Sequence, residues 1–164
     1  MKIELRDLAH CHFEDLYNQK NDSDVLAWIP GEYPLDRRTF DTKTSDALAK
    51  GQTVEQANYT IFVDGIIAGM IGQFPRDGED RFEVGYFIGQ EFWGKGVASR
   101  ALVLCLKNLR ELGFNHPLYG CHAADNPSSG RVLEKAGFQP EADIPFTLAD
   151  GTVVMDKCWV FHFE

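Results

Sequence analysis

The fold is decided by a turn with the sequence Glu91-Phe92-Trp93-Gly94-Lys95-Gly96-Val97-Ala98. It joins a strand-like run, Arg81 to Ile88, to a strongly helical run from Val97 to Leu112. Its two glycines lack the Cβ atoms that would hold a ligand away from the backbone. The first N–H groups of the helix have no partner within it, and the positive end of the helix dipole lies behind them. The turn therefore predicts a phosphate-binding site that suits a diphosphate group.

Two nucleotide-binding patterns fit this turn incompletely. Residues 89–95 fit the first seven positions of the P-loop, but Gly96 takes the place of the Ser or Thr that holds Mg²⁺. The dinucleotide pattern G-x-G-x-x-G fails, because Val97, Ala98 and Ser99 follow Gly96. A P-loop phosphotransferase and a tight turn that binds nothing remain as alternatives.

The turn also resembles the acetyl-CoA loop of the GCN5-related N-acetyltransferases (GNAT), which reads [QR]-x-x-G-x-[GA] between a strand and a long helix. Glu91 stands where Gln or Arg is usual. A second block is Asn126-Pro127-Ser128-Ser129-Gly130-Arg131-Val132-Leu133-Glu134-Lys135-Ala136-Gly137-Phe138. It is similar to the N-x-x-S-x-r-v-l-e-K-x-G-F segment of the RimJ/RimL-like branch, which contains the ribosomal-protein N-terminal acetyltransferases. The resemblance covers about residues 60–163, and residues 10–57 match mainly in length and character.

This resemblance implies a fold and an activity. The fold would be mixed α/β (α+β), with a mostly antiparallel central sheet of six to seven strands flanked by helices, in a single N-acetyltransferase domain over residues 1–164. The activity would be direct transfer of an acetyl group from acetyl-CoA to a primary amine. The acceptor would be a protein or peptide N-terminus or a small cationic amine. A CoA-binding sensor of the same fold, without turnover, is the main alternative.

The resemblance also assigns residues to the cofactor. Backbone groups of Phe87, Ile88 and Gly89 would pair with the pantetheine arm, although Phe87 taken alone is more typical of a core residue than of a ligand. Asn126 would bind cofactor amide groups, with helix capping as its alternative role. The diphosphate would lie on Gly94, Lys95, Gly96, Val97, Ala98 and Ser99. Positive charge would come from Lys95, Arg100, Arg131 and Lys135, which are otherwise typical of a solvated helix face.

Two residues are candidates for catalysis. Many family members carry a Tyr acid where this chain has Leu133, whereas the ribosomal-protein branch uses a Ser at the position of Ser129. Ser129 is therefore the candidate proton donor to the leaving thiolate. Its alternative role is a structural one, in the first turn of its helix. Glu83 alternates with the apolar residues of its strand and is a candidate base, an anchor for the acceptor ammonium, or an exposed strand charge.

The acceptor pocket is harder to predict. Trp28, Glu32 and Tyr33 match no motif, although the N-terminal half is expected to shape this pocket. Asp77, Glu79 and Asp80 precede Glu83 and predict an acidic approach that favours a cationic amine.

Composition limits the remaining classes of function. The chain has 164 residues, 44% of them hydrophobic, which suits one domain with a real core. A formal net charge of −9 argues against binding nucleic acid or an anionic membrane. The charged, alternating N-terminus predicts neither a signal peptide nor a membrane span, so a cytoplasmic location is expected. Four separated cysteines predict reduced thiols and no metal site, and a homodimer is compatible with all of these features.

Overall fold

The computed structural model describes residues 1–28, 34–76, 80–148 and 150–164. The elements are β1 (Ile3–Asp7), α1 (Phe13–Lys20), α2 (Ser23–Leu26), α3 (Arg37–Lys50), β2 (Ala57–Val63), β3 (Ile66–Pro75), β4 (Phe82–Ile88), α4 (Val97–Glu111), β5 (Leu118–Ala123), α5 (Pro127–Lys135), β6 (Gln139–Thr147) and β7 (Val153–Phe161). Short 3₁₀ turns at His10–His12 and Gln90–Phe92 precede α1 and α4. None of the described helices is long and apolar enough to span a membrane.

All seven strands form one sheet in the order β1-β2-β3-β4-β5-β7-β6. Every neighbouring pair is antiparallel except β4 and β5. The Asp64-Gly65 turn joins β2 to β3, and both residues have positive φ, as a tight hairpin turn requires. The prediction of a mixed, mostly antiparallel sheet of six to seven strands is therefore confirmed. The sequence pair Asp77-Gly78 also predicts a turn, and it lies outside the described residues.

Helices cover both faces of the sheet. On one face, α4 buries a stripe that includes Ala101, Leu102, Cys105 and Leu109 at spacings of three and four residues. On the other face, α1 and α3 cover a smaller cluster that includes Leu16, Phe40 and Phe87. The sheet is thus buried on both sides, so any opening between its strands connects two separately packed layers.

Such an opening lies between β4 and β5. These strands pair only at Phe82–Leu118 and Glu83–Tyr119. Beyond that point β4 stays paired with β3 as far as Ile88, while β5 stays paired with β7 as far as Ala123. The two strands therefore diverge, and each keeps a backbone edge inside the molecule.

Candidate active site

A cleft of about 790 Å³ passes through the sheet where β4 and β5 diverge. Asn126, Ser129 and Leu133 of α5 line it on one side of the sheet, and residues of α3 line it on the other. Its remaining wall residues from the strands include Met70, Arg76, Glu83, Gly85, Tyr86, Phe87, Cys121, His122, Phe146 and Asp156. A ligand on the α5 side and a ligand on the α3 side would therefore meet in one continuous space.

The glycine turn leads into α4 on the α5 side of the sheet. Gly94 and Gly96 have φ values of 73° and 75°, in the left-handed region that favours glycine. A Cβ atom built on either residue meets nothing within 4 Å, so the space beside the backbone is open. Gly96 is the N-cap residue, and no described side chain caps this helix start. The first N–H groups, those of residues 97–99, therefore receive no hydrogen bond from a side-chain cap.

A second cavity of about 400 Å³ lies against the same end of α4. Ser99 and Arg100 line it from α4, and Lys135 lines it from the end of α5. Lys95 and Arg131 are elsewhere: Lys95 Nζ donates to the Glu91 carbonyl oxygen at 3.1 Å, and Arg131 Nη2 donates to Ser128 Oγ at 3.1 Å. Two of the four predicted cations therefore border this cavity, and the other two make local contacts on the exposed surface.

The open edge of β4 ends beside the glycine turn. Gly89 N–H donates to the Ala68 carbonyl oxygen at 2.8 Å, so it faces β3. Backbone groups of successive residues in a strand point to opposite sides, so those of Ile88 face the opening and those of Phe87 face β3. Trp93 Nε1 donates to the Ile88 carbonyl oxygen at 2.8 Å. Phe87 contributes its side chain to the cleft wall.

Three polar side chains of the cleft wall lie close together. Asn126 Nδ2 donates to Ser129 Oγ at 3.1 Å, instead of capping the helix with its side chain. Tyr86 Oη from β4 is buried and has no completed hydrogen bond among the described residues. Burial raises the pKa of Tyr86, and the nearby Ser129 hydroxyl lowers it by a smaller amount. Leu133 packs where a Cβ on Gly120 would lie, 2.5 Å from Leu133 Cδ2.

Glu83 lies at the last paired position of β4 and β5, on the cleft wall. It faces away from the apolar side of β4, as predicted, but it is only 9% exposed, so the alternative of an exposed strand charge is wrong. Its Oε2 accepts from Arg76 Nη1 at 2.5 Å and from Arg81 Nη2 at 3.4 Å. Both arginine side chains are themselves mostly buried. The carboxylate is thus already engaged by two guanidinium groups.

Asp156 is a wall residue that the sequence analysis missed. It lies on β7 opposite Ala123, is 5% exposed, and its Oδ1 is buried with no hydrogen-bond partner among the described residues. Burial raises its pKa, Glu83 raises it further, and Arg76 and His122 lower it. A carboxylate in a strand is normally solvated, and only its burial by strands distant in sequence distinguishes Asp156.

Other titratable groups near the cleft are satisfied locally. Trp159 Nε1 donates to His122 Nε2 at 3.1 Å, so His122 Nδ1 carries the proton that it donates to the Ala123 carbonyl oxygen at 2.8 Å. Cys121 lies opposite Cys158, and Arg81 Nη2 lies 3.2 Å from Cys121 Sγ. No group of three or more His, Cys, Asp or Glu side chains in the described ranges could hold a metal ion.

The acceptor side of the cleft carries both signs of charge. Its charged wall residues are Lys20, Lys43, Arg76, Glu83 and Asp156. Trp28 also lines it, whereas Glu32 and Tyr33 lie outside the described residues. Asp80 does not line the cleft. Asp77 and Glu79 lie outside the described part of the chain.

Comparisons with known proteins identify the family of the chain and relatives of its fold. A family model described as the acetyltransferase (GNAT) domain matches residues 2–139. The uncharacterized N-acetyltransferase YnaD of Bacillus subtilis (strain 168) is 24% identical over 166 aligned residues, covering 99% of this chain and 94% of YnaD.

Two solved structures share the fold. The microcin C7 self-immunity acetyltransferase MccE, solved with acetyl-CoA and AMP, has a TM-score of 0.82 at 17% identity, covering 99% of this chain and 93% of MccE. RimL, the ribosomal L7/L12 alpha-N-protein acetyltransferase, has a TM-score of 0.83 at 16% identity, covering 99% of this chain and 91% of RimL.

Proposed function

The chain belongs to the acetyltransferase (GNAT) domain family and is an N-acetyltransferase, and we propose that it moves an acetyl group directly from acetyl-CoA to a primary amine. One observation carries this proposal. The cleft between β4 and β5 crosses the sheet, so a donor on the α5 side and an acceptor on the α3 side share one space. Direct transfer needs two reactants held in line, and this arrangement supplies that alignment.

The cofactor side fits acetyl-CoA in three respects. The open space beside Gly94 and Gly96 and the uncapped start of α4 suit a diphosphate on the N–H groups of residues 97–99. The cavity bordered by Arg100 and Lys135 suits a further phosphate. The outward N–H group of Ile88 suits the amide-bearing arm, and Asn126 lines the cleft. Acetyl-CoA supplies the acetyl group as a reactive thioester.

Ser129 is the proposed proton donor to the leaving sulfur. Its Oγ accepts from Asn126, so its own proton is directed elsewhere, toward the cleft that it lines. Tyr86 of β4 lies beside it. We assign Tyr86 a positioning role, in which its hydroxyl orients the Ser129 hydroxyl toward the sulfur.

Glu83 belongs to the acceptor side of this proposal. Arg76 and Arg81 both contact Oε2 of Glu83, so Oε1 is the atom that would act as base or bind the ammonium group. The acceptor is a primary amine of cationic character, either a peptide N-terminus or a small amine. The Asn126 to Phe138 block supports placement in the RimJ/RimL-like branch, in a single cytoplasmic N-acetyltransferase domain.

A thiol-release assay tests the proposal. Purified protein and acetyl-CoA are mixed with peptides bearing free N-termini, polyamines and small amines, and acetylated products are identified by mass spectrometry. We expect CoA release with at least one cationic amine. Acetyl-CoA binding by calorimetry without release in the whole panel would favour the sensor alternative, and absence of both would overturn the proposal.

A further inference from the structure

We propose that Asp156 binds the ammonium group of the acceptor. This inference rests on the proposed function only in taking the cleft as the acceptor site. Asp156 lines the cleft from β7, and its Oδ1 is buried without a hydrogen-bond partner among the described residues. The ligand class is therefore a cationic primary amine that donates to this oxygen.

The position of Asp156 is set by both neighbouring strands. It pairs with Ala123 at the last residue of β5 and with Ile144 on β6, where the register of β6 shifts between Glu141 and Ile144. Its face of β7 also carries the buried Cys158 and Val160. The side chain therefore lies on the cleft side of the sheet because the strand alternates, and it cannot turn to solvent without losing its register.

A buried carboxylate oxygen without a partner is costly, because it has lost its hydration without gaining a hydrogen-bond donor. Within the described residues, the charged and titratable groups that influence Asp156 are Arg76, Glu83 and His122. Burial is the largest cause of its raised pKa, and neither Arg76 nor His122 offsets it. An arriving ammonium group would supply the missing donor and the missing charge together.

Asp156 and Glu83 differ in whether their carboxylate oxygens already have partners. Glu83 Oε2 already accepts from two guanidinium groups, so an ammonium group would compete with them there. Asp156 Oδ1 faces no such competition among the described side chains. A buried, incompletely bonded acid in a cleft, with its pKa raised by burial, is a typical ligand-binding group. The structure therefore favours Asp156 over Glu83 as the ammonium site.

The test measures amine binding separately from turnover. Spermidine, kanamycin and a peptide with a free N-terminus are titrated by calorimetry into the CoA-bound protein at low salt. The proteins are wild type, Asp156→Asn and Asp143→Asn. Asp143 is an exposed β6 aspartate that pairs with Lys157 and does not line the cleft, so its variant controls for the loss of one negative charge. Acetyl-CoA affinity reports whether each variant keeps its cofactor site.

We expect at least one amine to bind wild type, with binding weakened at least tenfold by Asp156→Asn and less than twofold by Asp143→Asn. Equal binding to wild type and Asp156→Asn, or no binding of any of the three amines to wild type, would overturn the assignment. Asp156→Ala replaces Asp156→Asn if the latter does not fold. Asp156-dependent binding without CoA release would leave this inference standing while the proposed function fails. CoA release with an unchanged acceptor KM in Asp156→Asn would overturn this inference and leave the proposed function standing.

Discussion

The side-chain amide of Asn126 donates to the hydroxyl oxygen of Ser129 across 3.1 Å. Because the amide nitrogen is the donor, the hydroxyl proton of Ser129 is not used in this contact. Asn126 therefore fixes the oxygen and leaves the proton available to a second acceptor.

Replacing Ser129 by Ala tests its role as proton donor. We expect kcat at saturating acetyl-CoA to fall about 100-fold, in the range typical of general acid catalysis, with acetyl-CoA affinity nearly unchanged. Ser128→Ala is the matched control, since Ser128 is the adjacent exposed serine and bonds only to Arg131 in the recorded contacts. An unchanged kcat in Ser129→Ala would make this serine structural.

Tyr86→Phe removes a buried hydroxyl that has no completed hydrogen bond among the described residues. We expect the free energy of unfolding to stay level or rise by up to about 1 kcal/mol, because an unsatisfied polar group is removed from the interior. We expect kcat to fall several-fold, because Ser129 loses its orienting neighbour. Urea unfolding and single-turnover kinetics measure the two effects. Loss of stability together with normal turnover would contradict the positioning role.

Gly96→Val should weaken acetyl-CoA binding at least tenfold, because its side chain enters the open space beside the turn. The left-handed backbone also costs about 1–2 kcal/mol of stability for a residue other than glycine. Gly113→Val carries a similar strain, since Gly113 has a φ of 87° and open space around its Cβ position, but it lies at the other end of α4. Calorimetric affinities should differ between the two variants although their stabilities match.

Asp156→Asn should stabilise the protein in a pH-dependent way. Burial raises the folded-state pKa of Asp156 above its unfolded value, so the folded state holds the proton more tightly. Wild-type stability from this group is then lost as the pH rises from the unfolded pKa through the folded one. The variant should therefore gain stability at pH 7 and not below pH 3, as measured by thermal unfolding at both pH values. A stability loss at pH 7 would show that Asp156 has a native partner.

Glu83→Gln separates the roles proposed for Glu83. The change removes the charge that engages Arg76 and Arg81, so we expect a stability loss of about 1–3 kcal/mol. If Glu83 relays a proton, the rate loss should be greatest at pH 6 to 7 and smaller near pH 9, where more of the amine is neutral. An effect mainly on KM would indicate an anchor. Kinetics identical to wild type at every pH would remove Glu83 from the site.

The elements were predictable because their signals are local. The apolar stripe of α4 and the Asp64-Gly65 turn need no distant partner to be recognised. Boundaries are less local. The sequence pattern predicts a helix from His10 to Gln19, but His10–His12 forms a 3₁₀ turn and α1 begins after it. The pattern also predicts a last hairpin of residues 138–144 and 152–163, whereas the strands are Gln139–Thr147 and Val153–Phe161.

The missed site residues depend on distant partners. Tyr86 belongs to the apolar side of β4, and only the placement of α5 brings Ser129 to its hydroxyl. Asp156 has the pattern of an ordinary strand aspartate until β5 and β6 bury it from both sides. The face of β4 that carries Glu83 follows from the sequence pattern. Its pairing with Arg76 depends on where the chain runs after β3 ends at Pro75.

The divergence of β4 from β5 also determines what shape of molecule can join the sheet. Unpaired strand edges at the rim of a protein recruit other polypeptides and promote aggregation. Here the unpaired edge of β4 is enclosed between helical layers, where a second folded chain has no access. Only a thin, linear molecule with amide groups along its length can reach it. Shape thus filters ligands before any individual contact is made.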